Sequence, residues 1–328
     1  MNGLFNRIIF YLAGVLIIAC GGSSGNKDTE FVPGDTSSDS ETASDTDTDT
    51  DTDSDTDTDT DADTDTDSET GSDTSVNEVT INQTGFENLT NEYEFVQSSW
   101  TDEGFTALWV NGFNQGRAHV DTAYANTGDA SLRIDYPAGG VGPGETGAQV
   151  PLAFKGESEV YVTYALRFSD DFDWGGTNEG GKLPGLGSGD NCSGGSTCDG
   201  TNGFSARLMW RDGGRGVLYL YHMDKPATWG EDIQLTKADG SDVVFEKGKW
   251  YTITERVKIN TGDNNDGEVQ VWVDGIEALN IDGIKFVNNG DLIDNFYFST
   301  FHGGNTPDWA PSVDCHIWFD DIRIYKIN

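Results

Sequence analysis

Beyond residue 75 the chain is a succession of short apolar stretches in which hydrophobic and polar positions alternate or apolar residues run together. The pattern is carried by EVYVTYALRF (159–168), FSARLMW (204–210), GVLYLYHM (216–223), WYTITERVKI (250–259), EVQVWVDG (268–275), LIDNFYFSTF (292–301) and HIWFDDIRIY (316–325). Each is bounded by Gly, Asn or Asp, and a side-chain period of two predicts strands. No segment keeps the 3.6-residue apolar period of a convincing amphipathic helix. KINTGDNNDGEVQVWVDG (258–275) reads as a hairpin. Its Asp263, Asn265 and Gly267 resemble part of a calcium loop, but no bidentate Glu follows at the required position, so a plain turn is expected. The predicted fold class is all-β, a two-sheet antiparallel β-sandwich of the jelly-roll type, with a face able to bind an extended chain. Residues 76–328 are enough for one domain with a substantial core.

The N-terminal 75 residues break this pattern. In residues 1–20 Arg7 is the only charge, an apolar run extends from Ile8 to Ala19, and Cys20 is followed by Gly21 and Gly22. The run is too short to span a bilayer as a mature helix and reads as an export signal. It resembles the signal of bacterial lipoproteins, which implies acylation of Cys20; the alternative is an ordinary cleaved signal. Residues 21–75 pass through Gly/Ser into Asp-Thr repeats, too polar and too self-repelling to fold, and are expected to form a disordered, extended tether. Fully stretched, it would reach on the order of 150 Å. The expected location is therefore the cell envelope, lipid-anchored at the outer membrane or cell surface, with the membrane as a partner through that anchor alone.

Charge narrows the partners. The chain has 19 basic and 57 acidic residues, formally −38, of which 2 and 19 lie in residues 1–75; the remaining 17 and 38 leave the folded part at −21. No basic stripe is available to displace counterions, so nucleic acid is excluded as a partner. Between Gly176 and Gly216, however, Lys182, Arg207, Arg211 and Arg215 balance Glu179, Asp190, Asp199 and Asp212, a locally less negative stretch compatible with an acidic ligand. Cys192 and Cys198 bracket a Gly/Ser loop and are the expected disulfide, Cys315 is expected as a buried thiol, and the spacing does not match a zinc site. No metal or other cofactor is called for, and a monomer is expected.

The candidate chemistry lies in GGKLPGLGSG around Lys182, FSARLMW around Ser205 and Arg207, and YLYHM around Tyr219 and Tyr221. Alternation puts Ser205 with Arg207 on one face of a strand, and Tyr219 with Tyr221 on one face of the next. An amine, a hydroxyl, a guanidinium and two phenols so disposed suit an acidic sugar. Arg211, Arg215, Gln149 in GETGAQV and His302 in FSTFHGG are further candidates for substrate binding. Trp210, Trp229 and Trp309 are candidates for stacking on sugar rings or for core packing.

Taken in order, GGKLPGL, GFSARLMWR, YLYH, GKWYTITERVKIN, VQVWVDG, FSTFHGG with WAP, and FDDIRIY resemble polysaccharide lyase family 14, known from alginate and glucuronan lyases. The resemblance covers roughly Asp135 to Tyr325. It implies a β-jelly roll, β-elimination on 1,4-linked uronate polymers, and catalytic roles for Lys182, Ser205, Arg207, Tyr219 and Tyr221. The chemistry is coherent with these residue types. Removing the weakly acidic C5 proton of a uronate requires neutralising its carboxylate, which suits Arg207 with Ser205 beside it. A phenol or amine then takes the proton and another group protonates the leaving O4. Tyr219 and Tyr221 are the expected acid/base pair, with phenol pKa values lowered by a nearby cation; Lys182 either serves that purpose or is itself the base. The rival reading is a non-catalytic carbohydrate-binding surface lipoprotein on the same fold. The acidity of the domain argues for a polymer less densely charged than alginate.

Overall fold

A computed structural model of the chain describes residues 77–328. The predicted signal segment (1–20), its Cys20 and the predicted tether (21–75) lie outside the described residues. Fifteen strands form two sheets in which every ladder is antiparallel. The first sheet holds β1 (Glu78–Thr84), β3 (Ala118–Asp121), β4 (Ser131–Tyr136), β6 (Glu159–Phe168), β11 (Trp250–Lys258), β12 (Gly267–Val273), β13 (Ile276–Ile284) and β15 (Cys315–Ile327). Their order is β13-β12-β11-β6-β15-β4-β3, with β1 paired to the far part of β15. The second sheet holds β2 (Thr106–Ala107), β5 (Ala148–Glu157), β7 (Gly181–Ser188), β8 (Phe204–Arg211), β9 (Arg215–Tyr221), β10 (Glu231–Gln234) and β14 (Ile293–His302), in the order β10-β9-β8-β7-β14-β5-β2. The predicted antiparallel sandwich is the observed fold.

All seven segments picked out by alternation are strands, and 258–275 turns back between β11 and β12 as a hairpin. The core lies between the sheets, where β8 sends in Phe204, Ala206, Leu208 and Trp210 and β14 sends in Phe296 and Phe298. Each large side chain so buried stabilises the fold by about 2–3 kcal/mol before chain entropy is counted. The helices are short, Gln97–Asp102 and Gly142–Glu145 being the α-helical ones, and among the described residues none is long and apolar enough to cross a membrane.

The main departure from the alternation pattern is β7, which the composition of GGKLPGLGSG presents as a Gly/Pro loop. Close approach explains the strand. A Cβ on Gly181 would lie 2.0 Å from the Trp210 ring, and one on Gly185 would lie 1.9 Å from the Ala206 carbonyl oxygen. Glycine is the residue that lets the backbone run this near its neighbour. The disulfide Cys192–Cys198 forms as expected, and Cys315 is a buried free thiol whose pKa is pushed up to about 12, chiefly by burial.

Candidate active site

Strand parity brings the chemistry to the outer face of the second sheet. Lys182 from β7, Arg207, Met209 and Arg211 from β8, Tyr219 and Tyr221 from β9, Tyr297 from β14 and Gln149 from β5 line one cleft of about 710 Å³. Ser193, Gly194 and Trp229 wall it beside Tyr221, while Gly303, Gly304 and Trp309 contribute further lining. Of the five predicted catalytic residues, four therefore share the cleft.

Arg207 is only 2 % exposed, yet among the described residues it has no carboxylate partner. Its Nη1 donates to Ser299 Oγ at 3.0 Å, its Nε is without a partner, and the guanidinium lies 4.9 Å from the centre of the Tyr297 ring. Ser299 and Tyr297 in turn donate to Gln149 Oε1, at 3.4 and 3.0 Å. With that oxygen committed, the amide nitrogen of Gln149 is left as a donor in the cleft that Arg207 also lines. A buried, unpaired cation is costly, and the arrangement is relieved if a ligand brings the anion.

Lys182 likewise lacks an acidic partner. Its Nζ sits 3.7 Å above the centre of the Tyr219 ring and against the Met209 sulfur. Burial, followed by the charges of Arg207 and Arg211, holds its pKa well below the ordinary 10.5, a shift toward the neutral amine. The Tyr219 and Tyr221 hydroxyls are 3.5 Å apart, and the Gly195 N–H donates to Tyr221 Oη at 3.0 Å. Contrary to expectation, the Tyr219 pKa is raised: burial dominates, the Tyr221 hydroxyl adds to it, and Lys182 faces the ring as an amine whose charged form is itself disfavoured. Arg211 forks onto Asp232 through Nε and Nη2 at 2.9 and 2.8 Å, a pair at the cleft edge.

The remaining candidates lie elsewhere. Ser205 is on the same face as Arg207 but fully buried, its Oγ donating at 2.8 Å to the carbonyl of Cys192; it ties down the disulfide loop and does not line the cleft. Arg215 lies outside the cleft and is bound to Gln234 of β10. His302 points into the core, stacked on Phe172 and edge-on to Tyr136 and Trp210, and burial pulls its pKa down to about 4. Trp210 is core, whereas Trp229 and Trp309 line the cleft. Sequence reasoning missed Met209, Tyr297 and Ser299, although the parity of FSARLMW and of the β14 segment puts each on the outer face. Among the described residues no group of three or more His, Cys, Asp and Glu side chains is arranged to hold a metal ion.

Residues 124–322 match the family described as Polysaccharide lyase 14. The alginate lyase Aly36B is 27 % identical over 76 % of this chain and 96 % of its own, with a TM-score of 0.62, and its mutants have been solved with alginate trisaccharide and tetrasaccharide. The marine PL-14 alginate lyase from Aplysia kurodai is 25 % identical over 72 % of this chain and 99 % of its own, with a TM-score of 0.58. The alginate lyase vAL-1 from Chlorella virus, at 20 % identity over 73 % and 99 % and a TM-score of 0.57, shares the fold. No curated protein matches the chain. The family match spans well over half of the sequence and contains the strands that carry Lys182, Arg207, Tyr219 and Tyr221, so the chain belongs to polysaccharide lyase family 14.

Proposed function

We propose that the chain is a polysaccharide lyase that cleaves 1,4-linked uronate polymers, alginate or glucuronan, by β-elimination. The observation that carries this reading is that Lys182 and Arg207, two crowded basic side chains without carboxylate partners, meet in one cleft beside two phenols. The substrate carboxylate supplies the missing anion. Arg207 and the Gln149 amide bind it and withdraw charge as the C5–H bond breaks. Lys182, its pKa lowered by burial and the neighbouring arginines, takes the C5 proton as the free amine. Tyr219 is held protonated by its raised pKa, and the Tyr219–Tyr221 pair delivers a proton to the departing O4. The bond between C4 and O4 breaks, a C4–C5 double bond forms, and proton return from Lys182 to the phenol resets the site.

The test is incubation with polymannuronate, polyguluronate and glucuronan, followed by the ultraviolet absorbance of unsaturated chain ends. Absorbance rising with time on at least one polymer is expected. Binding without any unsaturated product from all three would replace the lyase by a carbohydrate-binding role. The same reading has the segment before Cys20 direct export and acylated Cys20 attach the enzyme to the cell envelope, at the outer membrane or cell surface, with 21–75 as tether; its support is the sequence pattern of those segments. Cys20→Ser should release the protein from membranes, and continued membrane fractionation would refute the anchor.

A further inference from the structure

Directly beneath Lys182 the strand β7 is irregular. Its ladder to β8 breaks between Lys182 and Gly185, and its ladder to β14 breaks opposite the same residues. Leu183 and Leu186, which strict alternation would put on opposite faces, both enter the core. Pro184 between them has no N–H to offer a neighbour.

Two polar side chains from the opposite sheet meet this irregular backbone. Glu255 on β11 is completely buried and accepts the Leu186 N–H through Oε2 at 2.8 Å, while its Oε1 has no partner. Tyr164 on β6, equally buried, donates its hydroxyl to the Pro184 carbonyl at 3.0 Å. The two are neighbours on one face, since Ile253 pairs with Tyr164 and Glu255 pairs with Val162. A carboxyl in an apolar core is less favourable than an apolar residue of its size unless it holds something in place, and burial pushes the pKa of this one well above the usual carboxyl range. What it holds is the backbone that carries Lys182.

We propose that Glu255 and Tyr164 are positioning residues that reach across the core to the bulge of β7 and fix Lys182 in the geometry of a proton acceptor. The proposal rests on Lys182 as the base of the elimination. The groups that face the amine are Arg207 and Arg211 on β8, Tyr219 and Tyr221 on β9, Tyr297 on β14 and Asp232 on β10. Its depressed pKa depends on staying crowded against Met209 and Tyr219 near these arginines. If the bulge relaxes, the amine gains water and returns toward its ordinary value.

The test compares Glu255→Gln, Glu255→Leu and Tyr164→Phe with wild type in the full chain. Two quantities are read: the acid limb of the kcat/KM profile on a uronan, and the titration of the Lys182 amine by NMR after isotope-labelled reductive methylation, assigned with Lys182→Arg. Glu255→Leu should move both upward in pH, with kcat/KM near neutrality falling about tenfold per pH unit of displacement and KM little changed. Glu255→Gln keeps an oxygen acceptor and should behave like wild type. A folded Glu255→Leu with wild-type titration and profile overturns the proposal. If that variant does not fold, Tyr164→Phe, which loses one hydroxyl and little volume, decides it by the same displacement or its absence. Should wild type release no unsaturated product, the lyase reading fails, and the amine titration alone judges whether Glu255 and Tyr164 position Lys182.

Discussion

His302 gives a prediction whose size follows from the structure. The ring is buried at the end of β14, 5.6 Å from Phe172 in a stacked pair and edge-on to Tyr136 and Trp210 at 5.7 and 5.3 Å. Burial lowers its pKa from the ordinary 6.5 to about 4, with the Asp173 charge working against the shift. The folded state therefore keeps the ring neutral where the unfolded chain would protonate it. Above the ordinary value the two states bind the same number of protons, and this contribution to stability is fully present. As pH falls from there to about 4 it is progressively lost, because the unfolded state gains a proton that the folded state refuses. At about 1.4 kcal/mol per pH unit, the loss comes to about 3 kcal/mol. His302→Phe retains an aromatic ring in the aromatic box and removes the titration. Urea unfolding of both proteins across this range should give curves that converge near neutrality when normalised there and diverge on acidification by about 3 kcal/mol, with wild type falling faster. The variant should also retain turnover, since the ring does not face the cleft. Parallel stability curves would refute the reasoning.

Arg207→Met removes a buried charge that has no carboxylate partner; its thermal midpoint should stay equal or rise while kcat/KM on a uronan falls about 10²–10³-fold, measured by calorimetry and product absorbance. The kcat/KM profile of wild type should rise with pH as Lys182 loses its proton, in a range below 10.5, and fall again only where Tyr219 ionises, above 10; a rate that declines as Lys182 deprotonates would contradict its role as base. Opening Cys192–Cys198 with a phosphine should lower kcat about tenfold, roughly the value of one hydrogen bond, because the loop carries the Gly195 N–H that binds Tyr221; reoxidation should restore it.

Alternation told correctly which face Lys182's neighbours occupy: Arg207, Tyr219 and Tyr221 fall on the outer face because their strands keep strict parity. It did not tell depth. Ser205 shares the face of Arg207, but the loop that begins at Cys192, 13 residues upstream, folds over it, and only the tertiary contact with Cys192 shows that its hydroxyl is already used. His302 departs from its expected substrate-binding place for the opposite reason. It stands at the end of its strand, and its parity with Phe296 and Phe298 turns it inward. The strand β7 was hidden because glycines forced by close approach to Trp210 and Ala206 look, in sequence, like glycines of a loop. Glu255 carries no local mark beyond being polar at a core position of WYTITERVKI. Its partner, the Leu186 N–H, becomes visible only when the second sheet is laid over the first.

The central claim is that the cleft's unpaired basic groups perform an elimination and do more than hold a polymer. It is tested most directly by comparing wild type with Lys182→Ala on the polymer that wild type cleaves, following bound oligosaccharide by affinity electrophoresis and unsaturated ends by ultraviolet absorbance. The account predicts that the variant still binds through Arg207 and Gln149 and releases no unsaturated product. Unsaturated ends appearing at the wild-type rate would contradict it.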